Sequence, residues 1–74
     1  MRINDTRKRI LDAIYREMRA HPSGMGLHEG DLKRYVPGEY GFDINYLAAR
    51  ALLSRDGLGN LKLTPDGIDI VEEE

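Results

Sequence analysis

The chain contains no cysteine, which removes disulfide staples, thiolate zinc sites and cysteine nucleophiles at one stroke. It also has no apolar run of the length a membrane span requires. The opening Met1-Arg2-Ile3-Asn4-Asp5 turns polar at once, unlike the apolar core of a signal peptide, so a cytoplasmic protein is expected. Hydrophobic residues make up 41% and charged residues 32% of the sequence, which places it among globular chains rather than disordered ones. With 74 residues there is material for one domain, small enough that packing, or pairing with a second copy, must replace a covalent staple. A chain this short rarely encloses a deep pocket. No acid–base or nucleophile constellation is present either, so an enzyme is not expected.

The net charge of −2 conceals a split. Residues 1–37 carry eight basic and five acidic side chains, whereas residues 38–74 carry three basic and eight acidic ones. Only the first half could supply the basic face of a nucleic-acid binder.

Local signals divide the chain into short elements. A first helix is expected over about residues 5–20, capped by Asn4 or Asp5 and carrying Ile10, Leu11, Ile14, Tyr15 and Met18 at helical spacing. Pro22 ends it by biasing His21 away from helical geometry. A second, short helix is expected over about 29–36 with Leu32, Tyr35 and Val36 inward, and a third over about 43–56, capped by Asp43 and stopped by Gly57. Leu58 should then fold back on Leu53. Gly59-Asn60 fits a tight hairpin turn within 58–63, with Gly at the position that needs positive φ. Thr64-Pro65 is a strong start signal for a last helix over about 65–71, since the hydroxyl caps and proline needs no donor in the first turn.

The stretch Ala51-Leu52-Leu53-Ser54-Arg55-Asp56-Gly57-Leu58, followed by Leu61-Lys62-Leu63-Thr64-Pro65-Asp66-Gly67, resembles the end of the recognition helix, the wing and the next helix start of MarR- and PadR-like bacterial and archaeal regulators. That resemblance implies a mainly α fold with a small β-hairpin (α+β): a winged helix-turn-helix with a three-helix core, a short wing and a C-terminal helix. It further implies binding to duplex DNA in transcription regulation, with the third helix in the major groove and the wing on phosphate or the minor groove.

On that reading Arg50 contacts a base or phosphate, supported by Asn45, Ser54 and Arg55, with Lys62 on the wing. Arg7, Lys8 and Arg9, with Arg2 ahead of them, would form a phosphate clamp. Ordinary solvated charge is the competing role for all these cations. An alternative function is a protein–protein module or homodimer whose surface is an apolar outer face of the third helix, formed by Ile44, Leu47 and Ala51. His21, His28 and Glu29 match no zinc spacing, and no phosphate-cradling loop appears. Neither metal, cofactor nor small-molecule ligand is therefore expected. Tyr35, Tyr40, Phe42 and Tyr46 are assigned to core and turn packing.

Overall fold

A computed structural model describes residues 4–73; Arg2 and Glu74, which enter the charge pattern above, lie outside them. Among the described residues the fold is α+β, with three α-helices and a three-stranded antiparallel sheet of order β1-β3-β2.

Helix α1, Asp5–Ala20, begins where Asn4 accepts a hydrogen bond from the Arg7 amide at 2.8 Å. Ile10, Leu11 and Ile14 are fully buried, so the apolar stripe seats this helix on the core. Strand β1 is only Leu27–His28, paired with β3 through Leu27↔Leu61 and His28↔Asn60. Gly26 just before it has φ +91, and a Cβ there would collide with the Leu61 carbonyl. The next segment, Glu29–Arg34, is a tighter 3₁₀ helix rather than an α-helix. Leu32 and Val36 turn inward, the Val36 amide donating to the Leu32 carbonyl. Tyr35 lies off that line and is 54% exposed, against the expectation that it would pack inside.

Helix α2 runs Gly41–Ala49, displaced from the expected 43–56 at both ends. Its end is a Schellman turn: the Ala51 amide donates to Ala48 and the Leu52 amide to Leu47, both at 3.0 Å. Ala51 takes the left-handed conformation, φ 59, that glycine usually fills. Gly57 is therefore not the stop. The chain leaves the helix early because Leu53 must pair with Leu63 and the Thr64 amide donates to the Leu52 carbonyl. Tertiary pairing outweighs the helical propensity of Ala51-Leu52-Leu53.

Strands β2, Leu53–Arg55, and β3, Asn60–Leu63, form a hairpin longer than the expected 58–63. Its connection is the four residues Asp56–Gly59, not the two-residue Gly59-Asn60 turn. Gly59 does hold the positive φ, +89. Leu58 is exposed at the tip instead of covering Leu53. Helix α3, Pro65–Glu72, starts as its sequence predicts, with Thr64 Oγ1 accepting from the Gly67 amide at 3.1 Å. Gly67 lies so close to Leu52 that a Cβ would strike the Leu52 carbonyl.

One core joins these elements, and Ile44 and Leu47 belong to it. Leu47 is fully buried, so the outer apolar face of Ile44, Leu47 and Ala51 does not exist; only Ala51 is exposed. Ile44 and Leu47 face inward because α2 ends before Leu52 and Leu53, which reach the core from the turn and strand. Among the described residues no helix is long and apolar enough to cross a membrane.

Candidate nucleic-acid interface

With Ile44 and Leu47 inward, α2 presents Phe42, Asn45, Ala48 and Ala49 to solvent. Asn45 is fixed on this face, its Oδ1 accepting from Arg55 Nη2 at 3.2 Å. Arg55 lies on β2, not on a helix, and its Nε is 3.8 Å from a Glu29 carboxylate oxygen. Helix, hairpin and 3₁₀ segment are thus tied through one guanidinium. Arg50 caps the C-terminal end of α2, exposed and without an ion-pair partner among the described residues.

Ser54 and Lys62 do not join that group. Successive strand side chains point to opposite faces, and Leu53 is buried on the core side of β2. Ser54 therefore projects outward beside its register partner Lys62, which sits between buried Leu61 and Leu63. The two line a shallow groove of about 250 Å³ on the outer sheet face with Met25, Asp56 and Asn60. Arg55, two residues from Leu53, takes the other face.

The basic cluster at the start of α1 is also divided. Arg7 Nε donates to Asp43 Oδ1 at 3.0 Å, and its guanidinium lies 3.8 Å from the Tyr46 ring centre. It braces α1 against α2. Lys8 approaches Asp12 at 3.9 Å, one turn on. Arg9 lies against a groove of about 190 Å³ with Asp12, Ala13, Arg16 and Tyr35. Consecutive helical residues are each turned by 100°, so these three side chains leave the helix in different directions.

Two features were not legible as functional. Phe42 is 77% exposed on the open face of α2, where the sequence suggested turn packing. Its place is fixed by the position of the helix start, which the sequence puts two residues late. The imidazole of His28 accepts from the Gly30 amide through Nδ1 at 2.9 Å. Its Nε2 must then carry the proton, which it donates to the Leu58 carbonyl at 2.9 Å. His28 thus holds the hairpin tip. Asp56 holds the same tip from inside, Oδ1 accepting from the Leu58 and Asn60 amides and Oδ2 from the Asn60 side chain. Those donors, chiefly Asn60, keep the Asp56 carboxyl below the usual range.

Among the described residues no group of three or more histidine, aspartate or glutamate side chains could hold a metal ion. Comparison with known protein families, curated proteins and solved structures finds no match to this chain.

Proposed function

We propose that this chain is a small winged-helix protein that binds duplex DNA through α2 and the β2–β3 hairpin, in a transcription-regulatory role. The order helix, strand, short helix, helix, hairpin, helix, with β1 joined to β3, fits that architecture. The observation that carries the functional reading is the open face of α2. Phe42, Ala48 and Ala49 are suited to thymine methyl groups, and the Asn45 amide to an adenine edge. Arg50 at the helix end and Arg55 beside Asn45 on the hairpin supply cations for phosphates. Arg7 steadies the helix from behind through Asp43 and Tyr46.

The exposure of Phe42 favours a second reading, a protein partner seated on the same helix. Titrating isotope-labelled protein with a mixed-sequence duplex at low and moderate salt separates the two. Backbone shifts at 41–50 and 55–62 that weaken with salt support DNA binding. Absence of shifts there at low salt overturns it and leaves the partner reading.

A further inference from the structure

The hairpin tip carries a group that the DNA reading leaves unassigned. Leu58, in the Asp56–Gly59 turn, is 74% exposed. Gly57 and Gly59 flank it, so no adjacent side chain shields it. A single exposed leucine on a loose loop would be ordinary, but this one is held. Its amide donates to Asp56 Oδ1 at 2.8 Å, and its carbonyl accepts from His28 Nε2 at 2.9 Å. Next to it, the Gly59 amide donates to the Asp56 carbonyl at 3.2 Å, and the Gly59 carbonyl accepts from the Glu29 amide at 2.8 Å. The backbone that carries Leu58 is thus pinned to β1 and to the 3₁₀ segment as well as to its own hairpin. A side chain presented from so fixed a turn loses little chain entropy on contact.

The same contacts tie the tip to the open face of α2. Glu29, whose amide meets Gly59, also places its carboxylate 3.8 Å from Arg55, and Arg55 holds Asn45 at 3.2 Å. Both acids near the tip are engaged, Asp56 by the Leu58 and Asn60 donors and Glu29 by Arg55. Neither carboxylate therefore stands free beside Leu58.

Leucine offers no hydrogen bond to a phosphate or a base edge. An apolar side chain driven between base pairs in the minor groove instead parts the stack and bends the duplex. That groove, roughly 6 Å wide, is too narrow for a helix but open to a turn. Resting on the DNA reading above, we infer that Leu58 is a minor-groove wedge, which enters beside the site of α2, partly unstacks one base step and bends the DNA. It favours pyrimidine–purine steps such as TA, which unstack easily, over stiff A-tracts. Such a preference needs no hydrogen bond to any base.

Two duplexes of equal base composition test it, one built of TA steps and one of A-tracts. Each carries 2-aminopurine, which brightens on loss of stacking, in place of some adenines. A dye pair at the ends reports bending, and anisotropy of singly labelled duplexes reports binding. Wild-type protein should brighten the TA duplex, bend it by roughly 20–90°, and bind it at least about fivefold tighter than the A-tract duplex. Leu58→Ala should lose the brightening, the bend and the preference. It should keep the wild-type salt slope and unfolding midpoint, because the side chain is exposed. Leu58→Met, which keeps an apolar wedge, should retain all three signals. Binding of both duplexes by wild-type protein without brightening or bending overturns the wedge and leaves the DNA reading standing. Brightening that survives in Leu58→Ala also overturns it. No anisotropy change with either duplex overturns both.

Discussion

Arg7 and Asp43, thirty-six residues apart, meet at 3.0 Å with both side chains largely buried, and the Tyr46 ring lies under the guanidinium. This contact fixes the first turn of α2 against α1. Arg7→Ala would leave the Asp43 carboxylate without its donor and the ring without its cation. We expect a loss of about 2 kcal/mol in urea unfolding, equivalent to about 10 °C in melting temperature for a domain of this size. A change within 0.5 kcal/mol, roughly the range of ordinary surface substitutions, would return Arg7 to the solvated surface.

Tyr40 adjoins the same junction, at the N-terminal end of α2. Its side chain is buried, and its hydroxyl is the one buried side-chain polar atom without a hydrogen-bond partner among the described residues. Tyr40→Phe should leave stability unchanged or raise it by about 1 kcal/mol, because an unpaired buried hydroxyl is a cost. Burial, with the nearby Glu39 carboxylate, also pushes the phenol above its ordinary range. The unfolded chain therefore loses this proton first as pH rises. Stability attributable to Tyr40 is complete below about pH 10 and declines above it. Alkaline unfolding of Tyr40→Phe should lack that component; identical profiles would refute it.

Much of the fold was readable where signals are local. Asn4, the Ile10-Leu11-Ile14 stripe and Thr64-Pro65 act within one or two turns, and α1 and α3 lie where they indicate. The end of α2 was not readable, since Ala51 takes a glycine conformation only because Leu52 and Leu53 are claimed by α3 and β3. The candidate site suffered from the same cause. Once β2 replaced the second half of the helix, Arg55 and Ser54 passed to opposite faces of a sheet. Arg7, Lys8 and Arg9 are adjacent in sequence, yet Arg7 reaches α2, Lys8 lies by Asp12 and Arg9 lines a different groove.

The turn at Ala51 offers a direct test of that account. A left-handed residue with a Cβ costs about 1–2 kcal/mol, whereas glycine loses more chain entropy on folding, by roughly 0.5–1 kcal/mol. Ala51 is exposed, so no packing is forfeited. Ala51→Gly should therefore stabilise the domain, by up to about 1 kcal/mol. Gly67→Ala should do the reverse, by about 2 kcal/mol or more, since the obstructing atom is the Leu52 backbone carbonyl. Equal unfolding midpoints for the two variants would contradict the described turn.

At the hairpin tip the outcome depends on acid. Asp56 is held below the usual carboxylate range by the Asn60 and Leu58 donors. Its support is present above the unfolded-state value, near pH 4, and is lost as pH falls through the lower folded value. Exchange protection of the Leu58 and Asn60 amides should disappear over that window. Asp56→Ala should remove it at neutral pH. Protection that survives both treatments would show that the Gly59 turn and His28 hold the tip unaided.

Asn45 and Arg50 divide the proposed recognition between them, and their variants should behave differently. Arg50 stands at the end of α2 with no partner to release, so Arg50→Ala removes a phosphate contact and little else. Affinity for every duplex should fall together, and the slope of log affinity against log salt should flatten by about 0.9. Asn45→Ala removes a base-directed amide and also frees Arg55 from its anchor. On mixed-sequence DNA its effect should be small. On a duplex selected for tight binding it should cost about 1–3 kcal/mol and relax preference at one base pair. Fluorescence anisotropy with both duplexes at three salt concentrations reads all of these quantities. If Arg50→Ala keeps the salt slope and Asn45→Ala keeps the sequence preference, α2 is not the reading helix.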